Sequence, residues 1–182
     1  MASNIVRAVV VALVATTTAA GCSSGTNGAP TAGSSSTPGV AASATPSPTP
    51  LAPKLDAKGV MDALKAAGLP LSNEAVQDKN TDPNNLVGRP NGYLSRASLD
   101  LPGGDTNGEK YDIDRGGVIE VFPDAASATA RSKFIQDALK SLPILGTEYH
   151  YLNGPVLVRI TGKVKPSAAK PFESAVAALK TG

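Results

Sequence analysis

Residues 23–53 carry no charged side chain and consist almost wholly of Ser, Thr, Ala, Gly and Pro, closing on Thr45-Pro46-Ser47-Pro48-Thr49-Pro50. A stretch of this kind cannot bury enough apolar surface to offset the entropy of ordering it. It separates a short front from one compact part of the 182-residue chain, and no uniform globular fold runs through it. The low contents of charged (18%) and aromatic (4%) residues follow from that dilution, since every Tyr and Phe lies beyond Pro53. The Gly/Ser-rich beginning is expected to behave as flexible coil and the Pro-rich end as polyproline II, with a mean reach on the order of 30 to 60 Å. The same composition suits a bare spacer or an O-glycosylated stalk.

Ahead of it, residues 1–20 hold one early cation, Arg7, and then the apolar run Ala8 to Ala15. This is the pattern of a secretory signal peptide. The run is too short for a permanent span, which needs about 20 apolar residues. The residues Ala19-Ala20-Gly21-Cys22 resemble the lipobox of bacterial lipoproteins, in which the Cys is lipidated and becomes the mature N-terminus; Ala19 stands where that motif usually has a larger aliphatic residue. The resemblance implies at least two acyl chains, such as palmitate, and therefore stable attachment, because a single chain holds a protein only marginally. Ordinary secretion with Cys22 as a free thiol is the alternative. The expected organisation is a lipoprotein signal peptide over 1–21, a lipidated Cys22 and disordered tether over 22–53, and one domain over 54–182. The expected location is the extracytoplasmic side of the cell membrane.

In the domain, Asp56 is placed to cap a helix whose Val60, Met61, Leu64 and Ala67 follow the 3.6 period, with Gly68 and Pro70 ending it. After a polar loop, Tyr93 to Leu101 alternates as a half-buried strand, and Val118 to Phe122 follows as a second. Asp124 is placed to cap a helix over about 125–141, with Phe134, Ile135, Ala138, Leu139 and Leu142 as its apolar stripe. Tyr149 to Leu152, then Asn153-Gly154, then Val156 to Ile160 predicts a hairpin. A last helix over about 166–180 turns Phe172, Val176 and Leu179 inward, with Pro171 expected to disturb its start. The order is α-ββα-ββα, an α+β domain with a four-stranded antiparallel sheet and its helices on one face.

The segments Asp82 to Pro90, Gly92 to Arg96, Gly116 to Phe122, Glu148 to Tyr151 and Val156 to Arg159 resemble a pattern from actinobacterial secreted lipoproteins of unknown function. The resemblance implies a lipoprotein fate and carries no activity with it.

One Cys and one His exclude a zinc site of Cys and His, a disulfide framework and a Cys–His pair within the domain. A net charge of +2 gives no nucleic-acid surface. No Ser occupies a Gly-x-Ser-x-Gly elbow, and the one available base, His150, falls in a predicted strand. Asp78, Asn80, Asp82 and Asn84 alternate as calcium-loop ligands do, yet Pro83 and Arg89 stand where such a loop needs Gly and Glu, and an Asx-rich turn explains them equally. The sequence thus assigns no catalytic residue, cofactor or metal. Strand phase supplies the candidate site. If Tyr93, Ile119, Tyr151 and Val158 face the helices, then Arg96, Glu120, His150 and Arg159 share the helix-free face with their charged ends in water. They would either pair across strands as a solubilising patch or dock an anionic cell-envelope polymer or protein. The expected function is a membrane-anchored, non-enzymatic binding domain. The alternative is a cell-wall-polymer enzyme, or an accessory subunit of an envelope enzyme, using carboxylates such as Glu120.

Overall fold

A computed structural model of the chain describes residues 55–181; the expected signal peptide, the expected lipidation at Cys22 and the expected tether lie outside the described residues. The described part is α+β: three helices and one antiparallel sheet in the order β1-β2-β3-β5-β4. Helix α1 is Ala57–Ala66, α2 is Ala125–Ser141 and α3 is Pro166–Ala177. The strands are β1 Ser72–Gln77, β2 Ser95–Asp100, β3 Gly116–Val121, β4 Glu148–Asn153 and β5 Val156–Thr161.

The helix starts are where the sequence puts them. The Asp56 side chain accepts from the Gly59 N–H at 2.8 Å, and that of Asp124 from the Ser127 N–H at 2.7 Å. Gly68, at φ +81°, supplies the left-handed residue that ends α1. Helix α3 runs continuously through Pro171. The Asn153-Gly154 turn closes the β4–β5 hairpin, and the Asn153 amide donates to the carbonyls of Val176, Ala177 and Leu179 at the end of α3.

Two features differ from the expected layout. The sheet has five strands, because residues 72–77 form β1 within what the sequence presents as a polar loop. This edge strand, Ser-Asn-Glu-Ala-Val-Gln, has no apolar alternation to signal it, and a bulge between Ser72 and Ala75 breaks its register. The helices also lie on both faces. Helices α1 and α3 cover one face, where Val60, Leu64, Phe172 and Val176 pack against Ala97, Leu99, Ile119, Val121, Val158 and Ile160. Helix α2 lies on the other face, where its Ala128 joins Tyr93, Phe122 and Leu157 in a smaller apolar cluster.

The stripe assigned to α2 is only partly right: Ile135 is buried and Ala138 and Leu139 are half-buried, but Phe134 and Leu142 are not inward. Ala128, Ser132 and Ile135 face the sheet, while Phe134 is 61% exposed and Leu142 is exposed as well. Tyr93 is likewise on the α2 side. It precedes β2, so the alternation of that strand does not extend to it, and its ring meets Phe122 edge-on at 5.9 Å.

Candidate functional site

Cross-strand register brings the four charged candidates together on one face: Arg96 is opposite Glu120 and His150 is opposite Arg159. They are not open to water. Arg96 is 2% exposed, Glu120 0% and Arg159 7%, and the His150 side chain is also buried. The expected docking surface is therefore overturned. Helix α2 occupies the face, and its inner side is small and polar enough to receive charges instead of apolar groups.

What the four residues build is an ion-pair layer. The Arg159 guanidinium donates to Glu120 at 3.0 Å and to both oxygens of Glu148 at 2.8 Å. Arg131 of α2 reaches Glu120 at 3.4 Å. Burial alone would raise the Glu148 carboxyl, but hydrogen bonds from His150 and Arg159, with the Arg159 charge, hold it at about 2. Arg159 is raised by its two carboxylates in spite of burial, and Arg96 is lowered by burial.

Ser132 is a member that sequence reasoning missed, because only the fold places it beside the sole His. Its hydroxyl lies 2.8 Å from His150 Nδ1, and His150 Nε2 lies 3.0 Å from Glu148 Oε2. Hydroxyl, imidazole and carboxylate follow one another as in a hydrolase triad, yet three features speak against that chemistry. Ser132 sits inside α2, whose backbone N–H groups are spent on the helix, so no donor pair awaits an oxyanion. Ser132 is only 8% exposed. The Glu148 carboxylate is already held by Arg159 through both oxygens. The chain fastens α2 to the sheet.

The oxygen-rich loop is an Asx-turn structure. Asp78 Oδ1 accepts from the N–H groups of Asn80 and Thr81. Asp82 accepts from the N–H groups of Asn84, Leu86 and Val87 and, at 2.6 Å, from the Tyr93 hydroxyl. Burial works to raise Asp82, and these bonds lower it. Asp82 Oδ1 stands 3.6 Å from Arg96 Nε, the one buried side-chain polar atom without a hydrogen bond among the described residues.

A groove of about 490 Å³ lies on the same side of the sheet as α2 but at the opposite edge, between β1–β2 and the loop before β3. Asn73, Glu74 and Ala75 of β1 and Ser98 and Asp100 of β2 form one part of it; Lys110, Tyr111, Asp112 and Arg115 form the rest. Arg115 holds Asp100 through Nε at 2.9 Å and Nη2 at 2.5 Å, and Asn73 Nδ2 donates to the same carboxylate at 2.9 Å. Burial raises Asp100 and these donors more than reverse it. Arg115 also donates to the carbonyls of Thr106 and Gly108, which ties the loop down.

Two residues of this groove, Asn73 at φ +47° and Tyr111 at φ +70°, hold left-handed backbone without being glycine. For a bulky residue such as Tyr this conformation costs on the order of 1–3 kcal/mol and persists only when the surroundings impose it. Arg96 Nη2 donates to the Tyr111 carbonyl here at 2.9 Å. The Lys110 ammonium stands 4.8 Å from the Tyr111 ring centroid and has no carboxylate partner among the described residues. No pattern in the sequence marks this groove, because β1 and the strained loop are both invisible to periodicity.

Comparison with protein-family models, with curated proteins and with solved structures finds no match for this chain.

Proposed function

We propose that this chain is a lipid-anchored extracytoplasmic binding protein with no enzymatic chemistry, its domain carried on the tether of residues 23–53 and its ligand taken in the β1–β2 groove. The observation that carries the reading is Cys22, the only cysteine, placed directly after an apolar run and small residues in a sequence that resembles a lipobox. The buried charges support a binding rather than a catalytic domain. Glu120, fully enclosed, cannot reach a polymer, and Ser132 lacks the donors that acyl transfer needs. An anionic envelope partner has lost the surface first considered for it.

No helix among the described residues is long and apolar enough to cross a membrane. Detergent-phase partitioning of the chain and of Cys22→Ser, with metabolic palmitate labelling, tests the attachment. The expected outcome is that the parent enters the detergent phase labelled and the variant moves to the aqueous phase unlabelled. A variant that stays in the detergent phase overturns the anchor.

A further inference from the structure

We infer that the β1–β2 groove takes a short neutral saccharide, an assignment that rests on reading the domain as a binding module. The groove has the volume of a small-ligand site. Its chemistry narrows the ligand. Apart from Ala75, every lining residue carries a hydrogen-bonding group, so a largely apolar ligand would strand polar atoms. A polyanion would meet the carboxylates of Asp100 and Asp112 as well as Lys110 and Arg115, and Arg115 is already committed to Asp100. An organic cation would face Lys110.

Donors and acceptors are instead interleaved. Lys110 offers N–H groups, Tyr111 a hydroxyl and Asp112 a carboxylate, beside an Asn73 amide that already donates to Asp100. A sugar hydroxyl both donates and accepts, which matches such a mixed wall without net charge. The Tyr111 ring and Ala75 give the C–H faces of a sugar ring somewhere to pack. Tyr111, a bulky residue held in left-handed backbone, makes the groove more than an incidental crease. The clamp from Arg96 to the Tyr111 carbonyl keeps it pre-organised, which lowers the entropy cost of binding.

The test uses the isotope-labelled full chain in detergent. It is screened on an array of neutral oligosaccharides of glucose, mannose, galactose, arabinose and N-acetylglucosamine, with a heparin tetrasaccharide as anionic control, and the strongest probe is then titrated by NMR. Expected is a dissociation constant of about 1 mM or tighter for a neutral probe, with shifts at the amides of Asn73, Ala75, Ser98 and Tyr111. Tyr111→Gly removes the ring while suiting φ +70°, so it keeps the fold and weakens binding by about tenfold or more. Lys110→Ala changes the affinity by about twofold at most, because a neutral ligand needs no counter-charge. Binding of the heparin tetrasaccharide alone, lost in Lys110→Ala, overturns the neutral class and leaves the groove as the site. No binding to any neutral probe, or shifts confined to other residues, overturns the assignment. Attachment through Cys22 is read separately by phase partitioning, so either idea can fail without the other.

Discussion

The two faces of the sheet are buried in different currencies. Against α1 and α3 the strands present Ala97, Leu99, Ile119, Val121, Val158 and Ile160, an apolar layer that dispersion and dehydration hold together. Against α2 and the loops they present Arg96, Ser98, Asp100, Glu120, His150 and Arg159, and the apolar part shrinks to the cluster of Tyr93, Phe122, Ala128 and Leu157 with Val118 and Ile135 beside it. The first face tolerates any shape-matched hydrophobe. The second holds only while every charge has its partner, so its strength depends on pH and on single side chains.

Arg159→Met should show the largest difference between the faces. It leaves Glu120 and Glu148 buried without their guanidinium, which costs about 3–5 kcal/mol, measured by urea unfolding. Phe172→Ala on the other face costs a similar 3–5 kcal/mol, but its loss stays constant with pH while that of Arg159→Met shrinks as the freed carboxylates protonate in acid. Changing Arg96 and Arg159 together to Gln is costly for the same reason, whereas on an open face it would cost little. A double variant within 1 kcal/mol of the parent (about the limit for exposed pairs) would show that the layer is not buried in solution.

Acid separates the faces next. The Glu148 carboxyl is held at about 2, below its ordinary 4.5, so its contribution to stability is fully present above about pH 4.5 and is lost as pH falls toward 2. The loss is on the order of 3 kcal/mol. Asp82 and Asp100 are lowered too and act in the same direction. Unfolding free energies between pH 6 and 2 should fall steeply for the parent and less for Glu148→Gln; equal slopes would mean that Glu148 carries none of it.

The smallest effects concern the two sides of α2. Ile135→Ala should cost about 2 kcal/mol or more, while Phe134→Ser should stay within about 0.5 kcal/mol. Thermal melts of the two variants check the helix phase, and the reverse order would rotate the helix.

That phase is also where sequence reasoning went astray, and the reason is physical. Asp56, Asp124 and Asn153-Gly154 act through local hydrogen bonds, so caps and turn are legible in a few neighbouring residues. Val118 to Val121 and Val156 to Ile160 pair as their composition suggests. The alternation that puts Arg96, Glu120, His150 and Arg159 on one side is correct too. Periodicity reports side, not solvent: a polar side closed by ion pairs reads the same as one open to water. Helix α2 compounds the ambiguity by turning Ser132 inward and Phe134 outward. The β1–β2 groove was illegible for another reason. Its walls depend on a polar edge strand and on Tyr111, whose carbonyl is held by Arg96, distant in the chain.

Asn153 joins two parts of the chain that periodicity treats as independent. Its amide nitrogen serves three carbonyls at the end of α3, with bonds of 2.8 Å to Val176, 3.3 Å to Ala177 and 3.0 Å to Leu179. The following glycine leaves the peptide nitrogen unshielded by a side chain, the setting in which an asparagine amide is most readily lost by hydrolysis. An aspartate there would exchange two shared N–H donors for a negative charge aimed at carbonyl oxygens and at the negative end of the helix dipole. Loss of that one amide would loosen the final helix from the sheet.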